Sequence, residues 1–381
     1  MDNKMFKRTL LGAAIASLSF AGAVQAKPAT DTVDLYGQVA LSIWQYGEDK
    51  IGGGDAPIKF ENESRFGLRG SKDLARGPML IWQLEGGNVG DAGSNSGLGV
   101  RDTYVGFEFE DGGKFRAGRM LTPLYQVVDW PYSGQRAGAI FDWGGDVVGG
   151  ARYDRQSNMV RYDSANYSGF TFDLAAGRGT ESNKDSNFYG AGAHYTTGVL
   201  TLHAAVESGD DRTVSNFATA YNDYLNQNPG AGPSLDTDNE DHTASGLSDT
   251  MAGILGFELH FDTWGLNGAY KLEEASYKDL SIDIDGTSVS VPDGTKLEQR
   301  SYSVGYYYSG VENWNFKVNY AANLDPELNG AKVSERDDYI ISAQAMYFLD
   351  DSALVYVRPY TISKDNSDAE FGWGAGLEYY F

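Results

Sequence analysis

The chain has 381 residues, no cysteine, 48 glycines and 25 tyrosines, and its formal net charge is −23. This acidic balance argues against nucleic acid as a partner, and the absence of cysteine suits an oxidising compartment. A mean hydropathy below zero excludes a helical membrane protein. It does not exclude a β-barrel, in which half of each strand and all loops face water.

The N-terminus has the three parts of a secretory signal peptide. Lys4, Lys7 and Arg8 form a basic region, residues 9–23 are apolar, and 24–26 supply a small-residue cleavage site. We therefore predict that residues 1–26 are removed and that residues 27–381 form the exported chain. No later stretch approaches the roughly 20 apolar residues of a membrane helix.

Alternating apolar and polar residues predict strands along the rest of the chain. In the first, 33–46, every second residue from Val33 to Ile43 is apolar or glycine. The other predicted strands are 65–69, 79–85, 101–110, 114–119, 158–163, 169–177, 187–196, 199–207, 251–261, 264–275, 297–309, 313–322, 338–349, 353–362 and 370–381, which makes sixteen.

Short turns and long loops alternate between these strands. Seven connections are tight, and eight are long, including 120–156 and an acidic loop at 208–250. An even strand number with short turns on one side and long loops on the other is typical of an outer-membrane barrel. The predicted fold is therefore a transmembrane antiparallel β-barrel of sixteen strands, wide enough to leave an aqueous channel.

The last strand, 370–381, predicts how the barrel closes. It alternates between aromatic or apolar residues and glycines, and it ends with Tyr379 and Phe381. A strand that faces lipid needs a closed ring, because an open edge would leave backbone N–H and C=O groups unpaired. We expect this strand to pair with the first one, and we assign Tyr379 and Phe381 to barrel closure and assembly.

Several segments resemble those of the Gram-negative general porins, the trimeric and non-specific diffusion channels of the outer membrane. The matching segments are 33–37, 64–70, 101–106, Gly118-Arg119, 160–164 and the terminal Phe381. The resemblance spans the exported chain. It implies a homotrimer in the cell outer membrane, in contact with lipid and lipopolysaccharide, that passes ions and small hydrophilic solutes by passive diffusion.

The resemblance also implies which loop narrows the channel. In that family the third long loop folds into the lumen, and here that loop is 120–156. Residues 141–146 are similar to the acidic tip of the family's loop and imply Asp142 and Asp146 as the acidic side of the constriction. Phe141 and Gly138 stand where the family has a proline and a further acidic residue.

Arginines on the barrel wall are expected to face this loop. The resemblance implies Arg65, Arg101 and Arg161, and strand alternation adds Arg69 and Arg116. Strict alternation would turn Arg101 towards lipid, so its assignment requires a bulge near the end of the strand. Opposed carboxylates and guanidinium groups create a field across the pore that favours small polar solutes. The alternative is that these arginines form structural ion pairs inside a wet barrel.

The long acidic loop has some, but not all, of the features of a calcium site. Asp236, Asp238, Glu240 and Asp241 lie within six residues, but the loop lacks the turn glycine and the distal glutamate of a calcium loop. A solvated acidic loop with a short amphipathic helix over 214–225 is favoured, and no metal or cofactor is predicted. The acidic loops predict a weak preference for cations.

Two other protein classes fit part of the pattern. An outer-membrane barrel enzyme, of the protease or phospholipase type, would use Glu258 and His260 as its best acid/base pair. His194, His203 and His260 are predicted to point into the lumen, and no nucleophile or phosphate-binding motif is present. A soluble β-sandwich does not explain why apolar faces recur on nearly every strand. A channel is therefore expected, either general or selective for one substrate, and not an enzyme.

Overall fold

The computed structural model of the chain describes residues 27–30, 32–49, 56–89, 97–145, 155–213, 227, 243–284 and 287–381. The predicted signal peptide lies outside these residues. So do Asp146, the four acidic residues at 236–241 and the predicted helix over 214–225.

The described residues form twenty-one strand segments, which we number β1 to β21 in chain order. The first eleven are Lys27–Thr30, Val33–Gln45, Ile58–Asn62, Arg65–Lys72, Met79–Gly86, Leu98–Phe109, Gly113–Leu121, Arg155–Asp163, Phe170–Arg178, Asn187–Thr197 and Leu200–Thr213. The others are Thr243–His260, Trp264–Ile284, Thr287–Ser290, Lys296–Tyr308, Trp314–Asn323, Glu327–Leu328, Ala331–Lys332, Asp338–Phe348, Ala353–Ser363 and Glu370–Tyr380.

Helical structure is confined to short elements. A 3₁₀ turn covers Gly47–Asp49, α1 covers Pro123–Val127, a wide turn follows over Val128–Tyr132, and α2 covers Gly138–Phe141. Thr122 caps α1, since its hydroxyl accepts a hydrogen bond from the N–H of Tyr125 at 3.2 Å. No helix in the described ranges is both long and apolar enough to cross a bilayer.

Within the described residues, sixteen strands form a closed antiparallel wall, as predicted. They are β2, β4 to β13, β15, β16 and β19 to β21. The ring closes where β2 pairs with β21, from Gln38 opposite Tyr380 to Gln45 opposite Trp373. The five remaining segments are short additions to this wall.

Alternation along each strand separates an apolar outer face from a polar inner one. Leu41, Leu255 and Val304 are exposed, whereas the neighbouring Ser42 and Ser303 are buried. The apolar face is the one that meets lipid, so the polar residues point into the lumen. Aromatic side chains form bands on the outer face, with Tyr302, Tyr320 and Tyr339 near one end of the strands and Phe261, Trp264, Trp314 and Tyr347 near the other.

Three strands are longer than the sequence pattern predicts. β11 extends to Thr213, β12 begins at Thr243 and β13 continues to Ile284, so the ends of the predicted loop 208–250 are strand. Roughly 9–11 residues are enough to cross the membrane. The residues added to β13 keep one buried face, with Tyr277 and Leu280, but carry Ser276 and Lys278 on the other, so the apolar alternation of a lipid-facing strand is lost there.

Candidate functional site

A helical segment comprising residues 122–145 lies against the inner face of the wall. The Lys271 ammonium donates to the carbonyl oxygen of Phe141 at 2.6 Å, and the Asn323 amide donates to that of Ile140 at 3.0 Å. The Ser303 hydroxyl donates to the carbonyl oxygen of Tyr132 at 2.7 Å. These bonds satisfy carbonyl groups that a short helix leaves unpaired. Inward side chains of β13, β15 and β16 therefore hold the segment.

The strongest of these contacts belongs to a buried ion pair. Lys271 lies 2.8 Å from Glu273, and the two side chains are 0% and 1% exposed. The ammonium also lies 5.0 Å from the centre of the Phe141 ring. Removing two charges from water is costly unless both find partners. Here the carbonyl of the segment supplies one of those partners, so the pair and the segment depend on each other.

Apolar packing holds the same segment. Leu124, Val128, Tyr132, Ile140 and Phe141 are fully buried and form one cluster with inward residues of the wall. A glycine makes room for the largest of them. A Cβ at Gly256 would come within 2.2 Å of the Tyr132 hydroxyl, so only glycine permits this close approach.

Arg136 attaches the segment to another part of the wall, near β2 and β20. Its guanidinium lies 3.0 Å from Glu48 and 4.4 Å from the centre of the Tyr46 ring. Trp44 and Tyr360 also lie beneath it, at 5.5 and 5.4 Å. Arginine over aromatic faces is favourable in itself. Arg136 could not be predicted as a site residue, because nothing in its local sequence shows that the tip of this loop reaches β2 and β20.

Two of the predicted arginines share one carboxylate. Arg101 donates to Glu85, and Arg65 lies 4.0 Å from the same group. The Tyr36 hydroxyl donates to Glu85 at 2.8 Å, and Arg65 also donates to Asn88 at 3.3 Å. Arg65, Arg101 and Glu85 are each partly exposed, with side-chain exposures of 19%, 23% and 12%. They form a charged patch on the wall that water reaches.

A bulge brings Arg101 into this patch. Leu84 pairs with Thr103, whereas Gly86 pairs with Leu98, so residues 99–102 lie opposite Glu85 alone. Inserted residues break strict alternation and re-aim side chains. The Arg101 side chain consequently meets an inward carboxylate. The orientation of Arg101 is evident only from the pairing of β6 with β5, because alternation within β6 itself predicts that Arg101 lies on the outer face.

Arg161 and Arg116 lie elsewhere and are engaged differently. Both bind Asp163, at 2.9 and 2.6 Å, and Arg161 also lies 3.3 Å from Asp173. Arg161 donates to the carbonyl oxygen of Leu121 at 2.8 Å and to the Gln126 side chain at 2.7 Å. Its side chain is 3% exposed. It lies beneath the start of the helical segment, where it stabilises the segment, and does not face it across open water.

Arg69 lies on the inner face that alternation predicts, but neither it nor Asp142 meets an opposed charge across the pore in the described residues. Arg69 pairs with Asp34 at 3.5 Å, four residues along β4 from Arg65 and towards the short turn. Asp142 is 2% exposed and accepts a hydrogen bond from the Tyr125 hydroxyl at 3.0 Å. The described structure therefore does not present the Asp142 carboxylate to solvent. Asp146, its predicted partner, lies outside the described residues.

Two further arginines at the ends of the same loop, Arg119 and Arg155, received no site role from the sequence. Arg155 binds Asp102 at 2.7 Å, and Arg119 donates to the carbonyl oxygen of Val100 at 2.7 Å and to Ser157 at 2.9 Å. Their position at the two boundaries of the loop was the available signal.

The terminal residue completes the wall. The N–H of Phe381 donates to the carbonyl oxygen of Gly37 at 3.1 Å, and the Gly37 N–H returns a bond to Phe381 at 3.0 Å. The Tyr379 and Phe381 rings lie 6.1 Å apart. A Cβ at Gly37 would come within 2.8 Å of the Phe381 ring, so this glycine lets the closing strand approach.

The histidines form hydrogen bonds along the inner wall. Glu258 lies 3.4 Å from His260 and 3.0 Å from His203, and the Nδ1 atoms of His203 and His194 are 2.8 Å apart. The best acid/base pair of the enzyme alternative is therefore one part of a longer chain of contacts. Within the described residues, no three His, Cys, Asp or Glu side chains form a group suited to a metal ion.

Comparison with known proteins agrees with this architecture. The model of the Gram-negative porin family matches residues 12–367. A chitoporin from Vibrio furnissii is 37% identical over the whole of both chains. An anion-selective porin from Comamonas acidovorans superposes with a TM-score of 0.67 at 18% identity, covering 92% of this chain and 99% of that one. OmpT of Vibrio cholerae, in a trimer form, gives a TM-score of 0.63 at 18% identity with the same coverage.

A closed wall with a polar interior, together with these matches, identifies the class of protein. The chain belongs to the Gram-negative porin family and forms a β-barrel channel in the outer membrane through which ions and small hydrophilic solutes diffuse.

Proposed function

We propose that the helical segment (122–145) narrows the channel and that solutes pass between it and the charged patch of Arg65, Arg101 and Glu85. The observation that carries this proposal is the contact of Lys271 with Phe141, since it fixes the segment to the inner wall. The patch remains partly exposed, while the wall beneath the segment is buried. Polar groups of both signs along a narrow path favour hydrophilic solutes.

Planar-bilayer recording tests this function directly. Purified protein is expected to give stepwise conductance, and a salt gradient gives the ion preference from the reversal potential. We propose a weak cation preference, because the chain carries 53 acidic against 30 basic residues. A reversal potential that favours anions would contradict the preference, and a protein that folds but stays silent would contradict the open channel.

Selectivity for sugars of the chitin type is a second candidate. It is supported by the similarity to a chitoporin along the full chain and by Trp143, which is 62% exposed at the end of α2. The Trp143 ring contacts Tyr125 edge-on at 6.3 Å. An exposed aromatic face in a polar channel offers a flat surface for the apolar face of a sugar ring.

Current block distinguishes the two candidates. A selective channel is expected to show brief closures with N-acetylglucosamine oligomers and not with maltose oligomers of equal length, and Trp143→Ala should reduce them. Trp373→Ala on the wall is the control, because its indole N–H binds Gln45 at the β2–β21 junction and not the segment. Equal behaviour towards both sugars would favour the general channel.

A homotrimer is proposed for the assembly. The trimer form of the structurally similar OmpT supports it. Closure of reconstituted channels in thirds and a trimer mass in detergent are the expected results, and a stable monomer with full conductance would contradict them.

We further propose that the protein has no catalytic activity and that residues 1–26 are a cleaved signal peptide. The Glu258 carboxylate is engaged by two histidines, which favours a role in the wall. N-terminal sequencing of the membrane protein should begin at Lys27, and protease and phospholipase assays should give no turnover.

A further inference from the structure

A chain of titratable side chains crosses the inner wall from β9 to β15. It runs from Asp173 through His194 and His203 to Glu258, with contacts of 3.1, 2.8 and 3.0 Å. Glu258 continues to His260 at 3.4 Å, and the Tyr307 hydroxyl lies 3.1 Å from the other nitrogen of His260. The proposed channel path does not use this chain.

The contacts determine how many protons the two imidazoles hold. The Nε2 atoms of His194 and His203 each face a carboxylate, and an ionised carboxylate only accepts, so each Nε2 carries a proton. The two Nδ1 atoms are 2.8 Å apart. A contact this short requires a proton between them, because two bare nitrogens would repel. Three protons on four ring nitrogens leave one positive charge on the pair.

The surrounding charges favour that state. Asp173 and Glu258 are buried acceptors on the two sides of the pair, with side-chain exposures of 6% and 8%. Arg161 lies 3.3 Å from Asp173 but also binds Asp163, and His260 shares Glu258. One shared positive charge therefore complements two carboxylates that are only partly neutralised. A fourth proton would make both Nδ1 atoms donors, and the bond between them would be lost.

The pair also touches the helical segment. The Tyr132 ring meets the His203 ring edge-on, with 6.3 Å between their centres, and lies over Gly256, which pairs with His203 across β11 and β12. Tyr132 is fully buried, so a displaced His203 ring has no free space to enter on that side. Separation of the two imidazoles would consequently push on the segment.

We propose that His194 and His203 carry one shared positive charge at neutral pH, and that a second proton taken up in acid separates the rings and changes ion passage. The change in passage has two causes. The lumen gains a charge, and Tyr132 shifts the segment that borders the path. This last step rests on the proposed function.

Histidine nitrogen resonances and channel conductance test the proposal together. At pH 7 the spectrum of the wild-type protein in detergent should show three N–H protons on the two imidazoles, with one shared between the Nδ1 atoms. Between pH 7 and pH 5 the shared resonance should disappear while conductance shifts reversibly. His194→Gln and His203→Gln should lose this conductance step but keep a hydrogen-bonding amide.

His260→Gln is the matched control. His260 shares Glu258 with the pair but bonds on its other side to Tyr307, so this variant should keep the step. Heat-modifiable gel mobility shows whether each variant folds. The spectrum is recorded on the wild-type protein, so this part of the test does not depend on the folding of any variant.

Two neutral imidazoles at pH 7 would overturn the shared charge. The coupling between the histidine pair and ion passage would be overturned if the conductance step persists in His194→Gln. It would also be overturned if the wild-type conductance does not change between pH 7 and pH 5. A wild-type protein without conductance at neutral pH would instead contradict the proposed function.

Discussion

The Lys271 ammonium donates to the carbonyl oxygen of Phe141 at 2.6 Å, across 130 residues of chain. One end of this bond is an inward side chain of the wall, and the other is the last turn of α2. Because Lys271 is completely buried beside Glu273, the bond is shielded from water. Lys271 is therefore one of the wall residues, together with Ser303 and Asn323, that fix the position of the helical segment.

Lys271→Met should loosen the segment. Loss of one member of a buried ion pair costs roughly 3–5 kcal/mol, because the other charge stays buried. We expect a lower thermal unfolding temperature together with larger and noisier single-channel conductance. Lys296→Met is the control, since Lys296 forms a half-exposed pair with Glu274 at 2.5 Å, and it should change neither property. Wild-type conductance in Lys271→Met would contradict the anchoring role.

Gly256→Ala should displace Tyr132. The new Cβ would lie within 2.2 Å of the Tyr132 hydroxyl, and overpacking of this kind costs roughly 1–3 kcal/mol. Altered conductance is the expected result. Gly253→Ala lies on the same strand, where the nearest atom is 3.7 Å away, so it shares the change of residue type without the clash. If both variants behave alike, Tyr132 does not set the position of the segment.

Charges of the patch and of the segment should affect ion preference unequally. Glu85→Gln is expected to shift the reversal potential towards anions, and Arg101→Gln towards cations, because both groups are partly exposed. Asp142→Asn should have little effect, since its carboxylate is buried against Tyr125. A larger shift from Asp142→Asn than from Glu85→Gln would restore the acidic tip of the loop as the selectivity element.

Arg161→Leu should destabilise the barrel more than Arg69→Leu. Arg161 is 3% exposed and joins two carboxylates on the wall to the start of the helical segment, so its loss is expected to cost roughly 3–5 kcal/mol. Arg69 is 30% exposed, pairs with Asp34 at 3.5 Å and lies 5.1 Å from the centre of the Tyr36 ring, so a change of roughly 1 kcal/mol or less is expected. Denaturant unfolding in detergent measures both, and equal losses would contradict the difference.

Deletion of Phe381 should impair closure of the barrel. It removes two backbone hydrogen bonds to Gly37, at 3.0 and 3.1 Å, and the ring that lies against this glycine. The expected result is a lower fraction of heat-modifiable protein in the outer membrane. Leu377→Val keeps an apolar side chain on the exposed outer face of the same strand and serves as the control. Normal assembly of the deletion variant would contradict the role of Phe381.

The local sequence pattern was enough to predict the wall. Alternation of apolar and polar residues is a local property with a period of two, so it located the sixteen strands, their outer faces and the closing pair of β2 and β21. Alternation was misleading where a strand has no apolar face towards lipid. Where β13 extends past the predicted end, Ser276 and Lys278 replace the apolar residues of the outer face, and both β12 and β13 are longer than predicted.

The role of each charged residue, in contrast, depends on contacts between distant parts of the chain. Arg65, Arg101 and Arg161 are alike in sequence, but a bulge turns Arg101 to Glu85, and Gln126 and Asp173 bury Arg161 beneath the segment. Burial of a charge depends on partners from distant parts of the chain, and local alternation contains no information about them. For the same reason the contacts of Lys271 with Phe141 and of His194 with His203 could not be predicted from the sequence.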